Sequence, residues 1–343
     1  MTSIEIHGTS KATSAQSHQQ GDQPVFRHVL ACVDSSPLSR HALAHAAAVA
    51  SSMGARLTVM RVLEPATDQH APTDPVDWTL RHRVAEAELR EHAAQFGGAS
   101  SDAVVVDGQA AEKICDWIHD QDVDLTVLGV GGDSNWHFAG LGATARRIAE
   151  TAEGSVLLAP FRESGGKPVR YRRVMTPLDG SPRAECALPI AVSIAGAHGA
   201  EIVLVHAAPN IDLTETGPLE PEAFALRDRL RRRNERVGAQ YLRKVQSWLP
   251  ASQARSQTRL MASGDPRHAI EQAARETDAD LIVLSSTGLS GHPDITLGSV
   301  ADFLINRAST PILLVRGRDF SGARTPRHGE DVQSLRFPTG GLS

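Results

Sequence analysis

Aromatic side chains make up only 4% of this 343-residue chain, and basic residues are not in excess, since the formal net charge is −5. A protein that grips nucleic acid needs a positive face for phosphates and, for single strands, rings on which bases stack, so this composition argues against that class. Cysteine is scarce as well. Cys32, Cys115 and Cys186 lie far apart, form no Cys-x-x-Cys pair and leave one thiol over under any disulfide scheme, which fits the reducing cytoplasm. No run approaches the ~18 apolar residues of a membrane span, and the first residues lack the charged-then-apolar pattern of a secretion signal. Catalytic signatures are missing too: there is no Gly-x-Ser-x-Gly elbow, no Ser-His-Asp ordering and no pair of acid/base carboxylates.

What is present is a chain long enough for two domains, 41% hydrophobic and 22% charged. Residues 1–24 are rich in Ser, Thr, Gln, His and Gly and read as a mobile tail, as do residues 318–343. Order is expected from the apolar run His28–Val33, which ends at Asp34. Ser35, Ser36 and Pro37 then open a helix that runs to the stop at Gly54. A strand at Leu57–Leu63, a helix near Pro75–Phe96, a short strand at Ala103–Val106, a helix at Ala111–Gln121 and a strand at Leu125–Val130 follow. Continuously apolar strands alternating with helices predict an α/β fold, a doubly wound parallel sheet covered on both faces.

After a polar link at residues 162–170 the pattern restarts. RRVMTPLDGSPRAECALPIAVSIAGAHGAEIVLVHAAP repeats RHVLACVDSSPLSRHALAHAAAVASSMGARLTVMRVLEP almost position for position. The strand-end aspartates Asp34 and Asp179 lie 145 residues apart (179 − 34), and the loop glycines Gly142 and Gly298 lie 156 apart (298 − 142). The difference is an insertion after the second strand of the second copy. Two tandem domains, 25–161 and 171–317, each with an open five-stranded parallel sheet, are therefore expected.

Each copy carries a glycine loop before its last helix. The first reads Gly129, two residues, Gly132, nine residues, Gly142, then Ala143. The second reads Ser285, two residues, Gly288, nine residues, Gly298, then Ser299. Glycines in such a turn let main-chain N–H groups converge, and the following helix N-terminus adds its own, which suits an anion. This spacing resembles Gly-x2-Gly-x9-Gly-(Ser/Thr), the ATP-binding signature of the universal stress protein family, with one departure in each copy. The resemblance covers roughly residues 25 to 317 and implies a sensor or regulator that binds ATP, with Mg²⁺, or a related adenine nucleotide. It implies that Pro177 and Asp179 border the adenine and ribose. Asp34 keeps the carboxylate alone, and Val62 and Ala207 offer main-chain groups to adenine. It further implies that the last strands of the domains, Val156–Ala159 and Ile312–Val315, pair edge to edge, and it allows a homodimer. Two other readings stay open: a nucleotide-free interaction module with vestigial sites, and a slow ATP hydrolase. Ser299 and the Pro177-x-Asp179 pair favour the second domain as the nucleotide site. Trp136 and Phe138 make the first loop bulky.

Other features read more plainly. GGDS at residues 131–134 follows the fourth strand and not the first, unlike the pyrophosphatase loop it resembles. His41 and His45, four apart on a helix, read as surface residues and not as metal ligands, because no carboxylate or cysteine joins them. The basic run Arg227–Arg236 reads as a solvated helix face, and Pro189 predicts a kink inside the first helix of the second domain.

Overall fold

The computed structural model describes residues 25–64, 75–97, 101–131, 141–161, 168–209, 221–250, 254–262, 264–289, 296–307 and 309–316. The first half runs β1 (His28–Cys32), α1 (Pro37–Met53), β2 (Arg56–Leu63), α2 (Pro75–Gly97), β3 (Ser101–Asp107), α3 (Ala110–Asp120), β4 (Leu125–Val130), α4 (Ala143–Thr151) and β5 (Ser155–Pro160). The second half runs β6 (Arg173–Pro177), α5 (Pro182–Glu185), α6 (Leu188–His198), β7 (Glu201–Ala207), α7 (Pro221–Trp248), β8 (Arg255–Met261), α8 (Pro266–Glu276), β9 (Leu281–Ser285), α9 (Ser299–Arg307) and β10 (Ile312–Val315). Gly54 ends α1 in the left-handed region at φ 63°, where its N–H reaches back to the carbonyls of Ala50 and Ser51.

The strands form one sheet in the order β3-β2-β1-β4-β5-β10-β9-β6-β7-β8. Within each half all neighbours are parallel, and the halves meet where β5 and β10 run antiparallel. In each half the strand order reverses between the first and fourth strands, β1/β4 and β6/β9, which is where open α/β sheets hold ligands at the carboxyl edge. Alternation along each strand sends Val29, Ala31 and Val33 into one core layer under α1, and Leu30 into the other under α3 and α4. Both layers run through both halves. Leu157 and Leu313 share one of them, and Val156, Leu158, Ile312 and Leu314 share the other.

The β5–β10 register pairs Leu157 with Leu313, its own counterpart at the 156-residue offset, flanked by Leu158 with Ile312 and Val156 with Leu314. A local two-fold therefore passes between the two leucines. Arg146 and Asp302 are also counterparts (302 − 146 = 156), and they face each other across this axis, guanidinium to carboxylate at 3.2 Å. Two copies of either half alone would place arginine on arginine or aspartate on aspartate. Arg146→Asp should lower the melting temperature by the few degrees that ~1 kcal/mol represents, with less effect in high salt. Arg146→Asp with Asp302→Arg should restore it. Thermal melts of the three variants check this.

Two expectations are corrected. The proline at 189 does not bend a continuous helix. The helix breaks at Cys186 and Ala187 into α5 and α6, and Pro189 falls in the first turn of α6, where its missing N–H leaves no intrahelical bond unmade. His41 and His45 are buried, not surface residues. Their Nε2 atoms lie 3.2 Å apart, and His45 Nδ1 lies 2.8 Å from the hydroxyl of Tyr171, which also packs edge-on against the His198 ring. Because α1 packs on α6, these histidines lie where the halves meet, and that contact hides them from solvent. The run Arg227–Arg236 lies on α7, where Arg231 and Arg232 pair with Asp228, and Arg231 also with Glu235.

Buried histidines give the fold a pH dependence. Burial lowers the pKa of His28, which is held by Thr58 Oγ1 at 2.9 Å and the Gln121 carbonyl at 3.1 Å, and burial also lowers that of His198. Between the ordinary histidine value and these lowered ones, the unfolded chain binds protons that the folded chain refuses. The histidines' contribution to stability is therefore fully present above about pH 7 and declines as pH falls below about 6.5. Melting temperatures between pH 8 and pH 5 should show this decline, and His28→Gln should make it shallower while His198 keeps the remainder.

Candidate ligand site at the carboxyl edge of the second half

At the β6/β9 switch point, two strand-end loops approach each other. Asp179 follows β6. Its Oδ1 accepts from the Ser181 amide (2.9 Å) and hydroxyl (2.6 Å), and its Oδ2 reaches across to the Leu289 amide of the β9–α9 loop at 2.6 Å. Gly288 makes this approach possible, because a Cβ there would overlap Asp179 Oδ2. Gly298 donates to the Ser286 carbonyl at 2.7 Å, closing the loop before α9. The first bond inside α9 runs from the Asp302 N–H to the Gly298 carbonyl, so the amides of Ser299, Val300 and Ala301 have no intrahelical acceptor. They gather at the positive end of the helix dipole, beside the exposed Ser299.

Next to this loop, above β9 and β10, lies a pocket of about 380 Å³. Ser285, Ser286, Thr287 and Thr296 line it from the loop, and Arg183 and Cys186 from α5 and its end. Glu150 of α4 closes it from the first half. Its floor includes Arg316, whose guanidinium donates to the carbonyls of Ala149 and Ala152 at the end of α4. Those carbonyls are among the orphan acceptors of a helix C-terminus, and a cation there is favoured by the helix dipole. One residue thus joins the pocket, the last strand of the second half and the last helix of the first.

The first half is built differently at the equivalent place. Asp34 Oδ1 accepts from the Ser36 amide (2.8 Å) and from the hydroxyls of Ser36 and Ser39 (2.6 Å each). Burial alone would raise this carboxyl, but the Ser36 and Ser39 donors outweigh it and hold the group below the usual range. Gly129 and Gly131 lie against Leu38 at the start of α1, where a Cβ on Gly129 would come within 3.2 Å of the Leu38 carbonyl oxygen. Leu38 is the counterpart of Arg183 (183 − 38 = 145). An isobutyl group therefore lies against the first glycine loop where the second half presents a guanidinium. Gly142 caps α4 with no atom of the described residues within 4 Å of where a Cβ would stand, and Ala143 follows it without a hydroxyl.

The structure gathers most of the expected residues at the carboxyl edges. Pro177 ends β6, buried beside Val205, and Ala207 ends β7. Val62, opposite Val106, is next to last in β2. Gly132, Trp136, Phe138 and most of the GGDS stretch lie outside the described residues. Sequence reading missed Arg183, Glu150 and Arg316. Aligning the two copies would have exposed the first, since Leu38 and Arg183 occupy the same column. Glu150 and Arg316 act across the junction of the halves, which a reading of each copy by itself does not reach.

Comparison with known proteins places these features in a lineage. The model of the universal stress protein family matches residues 26–160 and again 170–316. A universal stress protein of Mycobacterium tuberculosis is 25% identical over 314 residues, covering 83% of this chain and 93% of its own. One of Thermus aquaticus is 34% identical over 146 residues, covering 43% of this chain and 99% of its own. Among solved structures, a universal stress protein from Archaeoglobus fulgidus superposes with a TM-score of 0.60 at 18% identity, over 86% of this chain and 99% of that one, a likeness of fold alone. Two successive matches, divided where the sequence restarts, mean that this chain belongs to the universal stress protein family and carries its domain twice.

Proposed function

We propose that the chain binds one adenine nucleotide, ATP with Mg²⁺ or a close relative, in its second half and acts in the cytoplasm as a ligand-dependent sensor or regulator. The observation that carries this reading is the asymmetry between the copies. The second half sets Arg183 and the hydroxyls of Ser285, Ser286, Thr287 and Thr296 around an open pocket, with the amides of Ser299–Ala301 at the far end of the same loop, and the first half sets Leu38 against its glycines. Phosphate oxygens are held by charge-assisted bonds from guanidinium, main-chain N–H and hydroxyl groups, all of which the second site offers. Asp179 follows β6 and Ala207 ends β7 at the same carboxyl edge, and the family resemblance implies that they border ribose and adenine. The first half then serves as the pairing partner of the second through β5, and residues 162–170 connect two domains of 25–161 and 171–317.

Isothermal titration of the full chain with ATP and Mg²⁺ tests this. The expected result is saturable binding with one nucleotide per chain. Binding of two per chain, or none at millimolar nucleotide, would leave the chain as an interaction module or a doubly loaded one and would end this reading.

A further inference from the structure

Asp179 is placed as an acceptor for a ribose hydroxyl, yet in this structure its Oδ2 is already engaged by the Leu289 amide, inside the loop that a phosphate would occupy. We propose that Asp179 is an internal anion that holds the start of the β9–α9 loop at Leu289, and that exchanging this contact makes the site select a nucleoside phosphate over a bare polyphosphate. The inference rests on the nucleotide reading given above.

The chemistry follows from what each partner needs. Phosphate and carboxylate are both anions that compete for the same N–H donor. A phosphate taking the Leu289 amide must push aside a charged side chain that its own charge repels. A displaced carboxylate then keeps its bonds from Ser181 on Oδ1 and loses its donor on Oδ2. A ligand that carries a sugar hydroxyl next to its phosphates can return a donor to Oδ2 as it removes one. Tripolyphosphate carries no such donor, so its binding leaves the carboxylate unpaired beside added negative charge. The latch is specific to the Asp179–Gly288 arrangement: a Cβ on Gly288 would overlap Asp179 Oδ2, so any side chain there would push the carboxylate off the Leu289 amide.

The experiment measures binding of ATP and of tripolyphosphate to the full chain in three forms: native, Asp179→Asn and Asp179→Ala. Hydrogen exchange of the Leu289 amide is followed in each without ligand. The expected result is that tripolyphosphate binds at least ~10-fold tighter to both variants than to the native chain, while ATP affinity stays level or falls. The preference for ATP then collapses, and the Leu289 amide exchanges faster in both variants. Unchanged or weaker tripolyphosphate binding in the variants, with ATP still bound by the native chain, overturns the latch and leaves the nucleotide reading standing. Absence of ATP binding to the native chain overturns both. The two variants differ in size and hydrogen bonding, so agreement between them separates loss of charge from a local packing change.

Discussion

Leu313→Ala should lower the unfolding free energy by about 2–5 kcal/mol, the range for truncating a fully buried leucine. Leu313 is 0% exposed and stands on the local two-fold opposite Leu157, in a core layer shared by both halves. The cavity would open in the middle of a ten-stranded sheet, flanked by the β9–β10 and β5–β10 ladders, where the backbone has little freedom to collapse. The same truncation at Leu157 should cost a similar amount. The double variant should cost less than the sum, because the two side chains line a single void. Chemical denaturation of the three variants checks both points. A cost under 1 kcal/mol for Leu313→Ala would mean that the β5–β10 junction is loosely packed in solution and that the halves fold without leaning on one another.

Arg183→Glu should weaken ATP binding by about 100-fold with little change in melting temperature. Arg183 is exposed on the short helix α5, which packs into the core through Ala184 and not through this side chain. At the pocket its removal deletes a cation, and the glutamate adds a like charge beside the phosphates. Charge-assisted contacts of this kind are worth roughly 1.5–3 kcal/mol each, and the reversal adds repulsion. The converse experiment uses the repeat. Leu38→Arg supplies the first half with the missing guanidinium, but Ala143 still lacks the hydroxyl of Ser299, so any gain of a second bound nucleotide should be weak. If Arg183→Glu left affinity intact, the phosphates would not lie against α5.

The repeat made much of this architecture legible before any coordinates. Apolar runs such as Leu125–Val130 and Ile312–Val315 are strands because they are buried on both faces, and the structure keeps those bounds. Edge strands were harder to delimit. β3 extends to Ser101 and Asp107 because hydrogen bonding to β2 carries it past the apolar core Ala103–Val106. Pro189 signalled a disturbance, but the choice between a bend and a break is decided by the packing of α6 against the sheet. His41 and His45 were misjudged because what buries them, α6 and Tyr171, comes from the other half of the chain. The same blindness hid Arg316 and the Arg146–Asp302 pair, whose partners lie more than 150 residues away. The site itself was half visible. Glycine spacing marked the loop, whereas the contrast between Leu38 and Arg183 has meaning only once α1 and α5 are seen beside their loops.

Recording backbone amide shifts of the full chain during titration with ATP and Mg²⁺ tests the central claim most directly, because it reads each half separately. The account predicts saturable shifts at Gly288, Leu289 and Ser299–Ala301, with the amides of Ala143, Thr144 and Ala145 unmoved. Shifts confined to the first half, or none in either half at millimolar nucleotide, would contradict it.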